Sequence, residues 1–421
     1  MSTYTGMGLM SGTSLDGLDM CVVEFTGDEN CDIWSYRVLE TVTVPYDAEW
    51  KERLSNVMTL SGLDLIKLHY DYSHFMGRAI TKFMKDKNRT QMDFVSSHGH
   101  TVFHKPEEGL TFQLGDGEVM ASYLKCPLVT NFRVKDVALG GQGAPLAPSG
   151  ERFLYSSVGL CLNLGGIANV GSRDGKAWDI CACNSVLNKL AKISDPAADF
   201  DKNGQLAARG QILPDVLASL ENLSYYCQPY PKSLGVEWVN SEVWPILDRS
   251  VGYRWPWSKR VLQTNKHNVA DLARTFVEHV ATRIAEACEE GTKHSGVYDP
   301  SNPLASLVLS PGKQHGDSRV LITGGGAHNK FLMKHLKEKL KEKLIEVEET
   351  DDEVVDFKEA IVFAYLGLRC LMGKENVFAS TTGARENGIA GSIHQPALLN
   401  PSATSMHSHF RFLMRRQSSL S

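Results

Sequence analysis

Three glycine-rich turns in this chain could each cradle a phosphate. They are Gly12-Thr13-Ser14-Leu15-Asp16-Gly17, Gly165-Gly166 and Gly324-Gly325-Gly326, and each follows a strand-like run. Glycine leaves the backbone bare, so successive N–H groups can close on an anion. The first turn adds the hydroxyls of Thr13 and Ser14 and the carboxylate of Asp16. Hydroxyls and amides can hold phosphate oxygens, and a carboxylate can hold Mg²⁺. Taken alone, Asp16-Gly17 serves equally well as a plain hairpin turn. None of the three turns is a G-x-x-x-x-G-K-[ST] loop, so the chain is not a P-loop NTPase. None is a G-x-G-x-x-G after the first strand, so a dinucleotide site is not supported either.

Periodicity shows which elements must position these turns. Residues 6–10 and 19–25 read as the strands of a hairpin around the first turn. Leu65, Leu68, Tyr72, Phe75, Met76, Ile80 and Phe83 recur at helical spacing and predict a helix over about 63–87. A short strand at 92–96 leads to Ser97-His98-Gly99. The plan repeats in mid-chain: a strand at 160–164, Gly165-Gly166, a return strand at 167–171, then a strand ending near Asp179 and a helix through Leu187 and Leu190. Leu272, Phe276, Val280, Ile284 and Ala287 share one face of a helix over 269–288, with Asn268 and Asp271 as its N-cap. A strand at 320–323 runs into the third turn and a Lys-rich helix. A final helix carries Ala360, Phe363, Ala364 and Leu368. Two α/β lobes of one plan imply a cleft at their interface, a common place for ligands.

Composition narrows the class. The 421 residues are 42% hydrophobic and 22% charged, enough for two domains with their own cores. A net charge of -5 with no basic surplus argues against a nucleic-acid partner. The start Met1-Ser2-Thr3-Tyr4 lacks a signal-peptide pattern, and no apolar run is long enough to cross a bilayer. The expectation is a cytoplasmic protein with no membrane partner. Nine scattered cysteines fit reduced thiols, and the lone C-x-C of Cys181 and Cys183 lacks a second pair for zinc. The segment 401–421 reads as a disordered tail.

At this point the motifs become specific. Gly12-Thr13-Ser14-Leu15-Asp16-Gly17-Leu18-Asp19 resembles the ATP-binding signature of the anhydro-N-acetylmuramic acid kinases. Ser97-His98-Gly99-His100-Thr101, Gln113-Leu114-Gly115-Asp116, Asn131-Phe132-Arg133 and Gly140-Gly141-Gln142-Gly143-Ala144-Pro145-Leu146 follow in that family's order. So do Asn163-Leu164-Gly165-Gly166-Ile167-Ala168-Asn169, Gly324-Gly325-Gly326-Ala327-His328-Asn329 and Lys358-Glu359-Ala360. The resemblance spans about residues 6–395.

The resemblance implies a two-domain α/β fold of the actin-like, hexokinase-type (ribonuclease H-like) class with a central cleft. Domain one would comprise 1–130 with a C-terminal helix at about 375–395, and domain two 131–374. The cofactors would be ATP and Mg²⁺, and the partner a small sugar; a homodimer is compatible with the family. ATP would contact Gly12 through Asp19, Gly165, Gly166, Gly324, Gly325 and Asn329, with Asp16 holding the metal. The sugar would carry a 1,6-anhydro bridge and so lack a free 6-hydroxyl. Water would attack the anomeric carbon, the bridge would open, and the released O6 would take the γ-phosphate. By position, Asp179 would deprotonate that water, at the end of a strand and just before the helix from Asn184. Arg133 would bind the sugar, Glu359 would help position sugar or metal, and His98 would be a further substrate contact.

The chain also departs from the family. Asp-Thr-Gly-Pro-Gly-Asn is here Asp179-Ile180-Cys181-Ala182-Cys183-Asn184, placing Cβ atoms where bare backbone could approach substrate. His100 stands for a glutamine, and Val236 for an arginine in Lys232-Ser233-Leu234-Gly235-Val236-Glu237. Losing that arginine could remove a contact to an anionic substituent. Two other readings therefore stay open: a kinase for another anhydrosugar such as levoglucosan or for a plain sugar, and an inactive nucleotide-binding regulator.

Overall fold

The computed structural model describes residues 1–12, 15–28, 32–230, 232–251, 268–294 and 318–396. Thr13 and Ser14, expected at the nucleotide turn, lie outside the described residues, as does the 401–421 tail. The chain divides into two compact units, residues 1–154 with 357–421, and residues 155–356.

The first unit is built on one sheet. Strands β1 (Ser2–Ser11), β2 (Gly17–Asp28) and β3 (Ile33–Pro45) form an antiparallel meander. Strand β4 (Phe94–Lys105) lies parallel to β1, β5 (Leu110–Leu114) folds back on β4, and β6 (Leu128–Thr130) runs parallel to β4. Strand β12 (Ser392–His394) closes the edge antiparallel to β6. On one face, Met7, Leu9, Met20 and Val22 share a core with Leu68, Tyr72, Met76 and Ile80 of the Gly62–Asp86 helix, the one the spacing predicts. The Asp352–Leu371 helix also packs tightly on this sheet. A Cβ on Gly8 would fall 1.9 Å from the Ala360 carbonyl oxygen, so only glycine permits this approach. Ser96 Oγ donates to the Phe363 carbonyl at 2.6 Å beside it.

The second unit repeats the plan. Strands β7 (Leu160–Leu164), β8 (Ile167–Ser172) and β9 (Ala177–Ala182) form the meander. Strand β10 (Arg319–Thr323) runs parallel to β7, and β11 (Glu346–Glu348) parallel to β10. The Val269–His294 helix covers this sheet with Leu272, Phe276, Val280 and Ile284, in one core with Leu162, Leu164 and Val170. Its first turn is capped as the sequence implies, Asp271 N–H donating to Asn268 Oδ1 at 2.9 Å. Each unit thus has a three-stranded meander extended by parallel strands beyond its first strand. The two units share one α/β plan, as the resemblance implies.

Two details differ from expectation. The chain passes between units at 154/155 and 356/357 instead of 130/131 and 374/375. The reason is the Ala147–Leu154 helix. Its Gly150 packs against Val362, and its Glu151 pairs with Lys358 at 2.6 Å. The expected helix at 375–395 is absent. A short helix (Ala379–Thr382) stops at Gly383 with φ 76°, and Gly391 with φ 121° leads into β12. Left-handed glycines end a helix instead of extending it.

Candidate functional site

In the second unit, two glycine turns sit at the carboxyl ends of neighbouring parallel strands. Thr323 of β10 is in register with Asn163 of β7, so Gly324 follows directly beside Leu164-Gly165-Gly166. The carboxyl edge of such strands is where α/β sheets bind ligands. Gly324 has φ 86°, and a Cβ there would fall 2.4 Å from Asn163 Oδ1, so the crossing needs glycine. At Gly166 and Gly325 a Cβ would meet nothing nearer than 3.8 and 3.9 Å. These are ordinary contact distances, and both glycines are exposed, so their backbone is open to solvent as a phosphate cradle requires.

The helix Asn184–Ser194 starts against the same turn. Cys183 and Ser185 N–H donate to the Gly166 carbonyl at 2.9 and 3.1 Å, and Asn184 N–H to the Gly165 carbonyl at 3.1 Å. Asn184 Nδ2 donates to the Leu164 carbonyl at 2.8 Å. Asn184 was legible only as a motif letter, and its work is to pin the turn. Ser185 Oγ was missed altogether; it is buried beside Gly166 and has no partner among the described residues. The only sequence signal for it is its place one residue after that asparagine. Asn329 is placed differently from expectation. Its Oδ1 accepts from Leu332 N–H at 3.0 Å and caps the Lys330–Glu342 helix, so that oxygen is already committed.

Asp179 lies inside β9, three residues before its end, and neither ends the strand nor caps the helix. The β8–β9 register slips between Ala168 and Asn169, which makes Ile180 an extra residue. Such a bulge re-aims the neighbouring side chain. The Asp179 backbone is fixed on both sides: its N–H donates to the Lys232 carbonyl at 3.0 Å, and Tyr225 Oη donates to its carbonyl at 2.7 Å. Its Oδ2 accepts from Leu234 N–H at 2.8 Å, and no donor reaches Oδ1 among the described residues. Burial raises its pKa above the usual carboxylate range, opposed by the Leu234 N–H. A carboxylate with one oxygen pinned, the other unpaired, and raised basicity has the attributes of a general base.

The altered segment after Asp179 does not face open space. Ile180, Cys181, Ala182 and Cys183 are all buried in the core. Burial pushes both thiols up, that of Cys183 to about 12, so they pack as small apolar groups. The expectation that their Cβ atoms obstruct a ligand is thereby corrected. Val236, by contrast, is 58% exposed, two residues beyond the Leu234 N–H that holds Asp179.

In the first unit, Arg133, His98 and Glu359 come together. Strand β4 carries an extra residue between Ser97 and His100 relative to β1, and Gly99 there has φ 76°. His98 is buried with both ring nitrogens used. Nδ1–H donates to the Gly99 carbonyl at 3.0 Å, and Nε2 accepts from Arg133 Nε at 2.9 Å, which assigns the neutral tautomer. Burial, with Arg133 beside it, drives its pKa well below normal. His98 therefore has no nitrogen left for a sugar; it orients Arg133. Arg133 Nη1 donates to the Gly143 carbonyl at 2.6 Å, which leaves Nη2 without a partner among the described residues. Its Nε and Nη1 are thus both taken by the protein itself. Burial lowers Arg133 to about 10, opposed by Glu359, so it stays charged at neutral pH. Glu359 is half-buried with its pKa raised by burial, opposed by Lys358 and Arg133.

At the first turn, Gly12 is half-buried, Leu15 adopts a left-handed φ of 57° and Asp16 is exposed. Asp19 Oδ1 is occupied by Thr43 Oγ1 at 2.6 Å. Leu18 is buried in the core, so only its backbone could meet a nucleotide. Taken separately, the first unit offers an exposed carboxylate at Asp16, a group suited to Mg²⁺, and the second offers bare glycine backbone with the orphaned Ser185 hydroxyl, groups suited to phosphate.

Buried neutral histidines tie stability to pH. Burial lowers the pKa of His100 to about 4. Unfolded histidine takes a proton near 6.5, so this contribution is full above 6.5 and is lost as pH falls toward about 4. Its share of the loss at pH 5 is roughly 2 kcal/mol. Urea midpoints of the wild type should therefore fall more between pH 7 and 5 than those of His100→Gln, which has no imidazole to protonate.

Comparison with known proteins follows from this geometry. The model of the family described as anhydro-N-acetylmuramic acid kinase matches residues 4–297 and 306–396. An anhydro-N-acetylmuramic acid kinase of Paramagnetospirillum magneticum is 31% identical over 400 residues, covering 93% of this chain and 99% of the relative. Those of Aliivibrio fischeri and Clostridioides difficile are each 30% identical, over 402 and 409 residues. They cover 92% of this chain and 98% and 97% of the relatives, respectively. With both halves of the fold, the glycine turns and the Asp179 strand inside the matched span, the chain belongs to the anhydro-N-acetylmuramic acid kinase family and is a sugar kinase.

Proposed function

We propose that the protein is an ATP-dependent cytoplasmic kinase that opens 1,6-anhydro-N-acetylmuramic acid with water and phosphorylates it at O6. The product is N-acetylmuramic acid 6-phosphate, an intermediate in the reuse of cell-wall amino sugars. The observation that carries the reading is Asp179, a carboxylate of raised basicity with Oδ2 held and Oδ1 unpaired. Mg²⁺-bound ATP supplies the γ-phosphoryl group and charge neutralisation. Asp16 would hold the metal; Gly12, Gly165, Gly166, Gly324 and Gly325 would offer backbone N–H groups, and Ser185 a hydroxyl.

Asp179 Oδ1 takes one proton from a water whose oxygen bonds to the anomeric carbon. The carbon–O6 bond breaks as that bond forms, and the electron pair remains on O6, which would then bond to the γ-phosphorus of ATP as the bond from that phosphorus to the β-phosphate oxygen breaks and ADP leaves. The proton passes from Asp179 to solvent after product leaves. Arg133 Nη2 donates to a sugar oxygen, with His98 and the Gly143 carbonyl fixing its plane, and Glu359 accepts from a sugar hydroxyl.

The test is ADP release with Mg-ATP and one sugar at a time: 1,6-anhydro-N-acetylmuramic acid, levoglucosan, glucose and N-acetylglucosamine. Turnover confined to the first, giving a 6-phosphate with a free anomeric hydroxyl, is expected. Exposed, apolar Val236 near the Asp179 clamp favours one second reading, an anhydrosugar without a carboxylate, for which levoglucosan would be the active substrate. Silence on all four with ATP still bound would point to a nucleotide-binding regulator.

Arg133→Lys keeps the charge but cannot bond His98 and Gly143 while also reaching outward. We expect KM for the sugar to rise about 10- to 100-fold with kcat and KM for ATP little changed. Equal sugar KM in variant and wild type would remove Arg133 from the sugar site.

A further inference from the structure

We propose that Tyr46 is a positioning residue for the metal–nucleotide turn, strapping Ser11 on one side of it and Asp16 on the other through a buried hydroxyl chain that ends on His100. The inference rests on the nucleotide reading of that turn. Tyr46 lies just past the end of β3, and two different parts of it engage the turn. Its N–H donates to the Asp16 carbonyl at 3.2 Å. Its hydroxyl bonds Ser11 Oγ, the last residue of β1, at 2.7 Å. One residue thus fixes both described ends of the turn, Ser11 before Gly12 and Asp16 before Gly17.

The hydroxyl does not act alone. Tyr72 Oη lies 2.6 Å from Tyr46 Oη, and Ser11 Oγ lies 2.9 Å from His100 Nδ1. All four residues are buried. Tyr72 Oη is hydrogen-bonded to Ser11 as well as to Tyr46. A buried hydroxyl proton without an acceptor would carry the full desolvation cost. In the arrangement that ends on a bare His100 Nδ1, Tyr72 donates to Tyr46, Tyr46 to Ser11, and Ser11 to the imidazole. The chain needs an acceptor at position 100, and the neutral imidazole supplies it. Burial, holding His100 near 4, keeps that nitrogen unprotonated at neutral pH. A glutamine carbonyl could serve the same way.

The consequence is selective. Loosening this chain should disturb how Asp16 meets Mg²⁺ without touching Arg133 or Asp179. The experiment is calorimetric binding of Mg²⁺ with a non-hydrolysable ATP analogue to the full chain, alongside KM for both substrates and thermal unfolding. Tyr46→Phe removes the bond to Ser11 and leaves the backbone bond to Asp16. His100→Leu removes the terminal acceptor, and His100→Gln keeps one. We expect Tyr46→Phe and His100→Leu to weaken metal–nucleotide binding about tenfold, with sugar KM within twofold of wild type. His100→Gln should bind nearly as the wild type does. If both disruptive variants stay folded and bind as the wild type does, the strap is not a positioning device. If His100→Gln is as impaired as His100→Leu, the acceptor logic fails. A wild type that binds no metal–nucleotide would overturn the nucleotide reading itself, and this inference with it.

Discussion

Asp179→Asn should reduce sugar phosphorylation by about a thousandfold or more while the protein still binds ATP. General-base catalysis by a positioned side chain contributes ~10²–10⁴-fold, and here the attacking water has no other assigned base. In barrier terms the loss is about 4 kcal/mol. The fold should tolerate the change. The carboxamide is the same size, its oxygen can still accept from Leu234 N–H, and the Lys232 and Tyr225 contacts use only the backbone. The decisive readings are single-turnover rate and analogue affinity measured together. A second signature is the pH profile. Wild-type kcat/KM should fall on the acid side as Asp179 takes up its proton, at a pH above the ordinary carboxylate range because burial raises its pKa. The residual activity of Asp179→Asn should lack that limb. Turnover close to wild type would assign the base elsewhere.

Lys358→Met should be among the most destabilising single changes in the first unit. Lys358 and Glu151 are both buried and their charged atoms are 2.6 Å apart. Removing the cation leaves a carboxylate buried without its partner. Breaking such a pair from one side costs about 3–5 kcal/mol, far more than an exposed pair is worth. For a unit of this size, that corresponds to a fall in unfolding temperature of roughly 6–20 °C. Replacing both partners, Lys358→Met with Glu151→Leu, should recover most of the loss, because no buried charge remains. Lys358 also opposes the burial that raises the pKa of Glu359. The single variant should therefore hold Glu359 protonated to higher pH and raise sugar KM. A single variant that melts with the wild type would mean water compensates Glu151.

Much of the scaffold was legible because hydrophobic period and turn chemistry are local. The Gly62–Asp86 and Val269–His294 helices follow from apolar residues at helical spacing, and the β1–β2 and β7–β8 hairpins from glycine turns between strand-like runs. The return of the chain to the first unit was legible only in part. Residues 375–395 were read as a helix, but left-handed glycines and pairing with β6 made the last part a strand. Edge pairing depends on a partner far away in sequence.

The candidate site divides the same way. The sequence by itself determined the residue types, the order of the motifs and the family, because these are properties of the string. It also marked Asp179, Arg133, Glu359 and the three glycine turns. Only the tertiary structure decided what each group is free to do. His98 spends both nitrogens on Gly99 and Arg133, Asn329 spends its oxygen on a helix, and the changed residues from Ile180 to Cys183 sink into the core. Ser185 is marked in the string only by following Asn184, and Tyr46 by nothing, yet one has an orphaned hydroxyl at a glycine turn and the other straps two ends of another. The reason is physical: hydrogen-bond capacity is finite, and which part of it remains for a ligand depends on neighbours brought together from distant sequence.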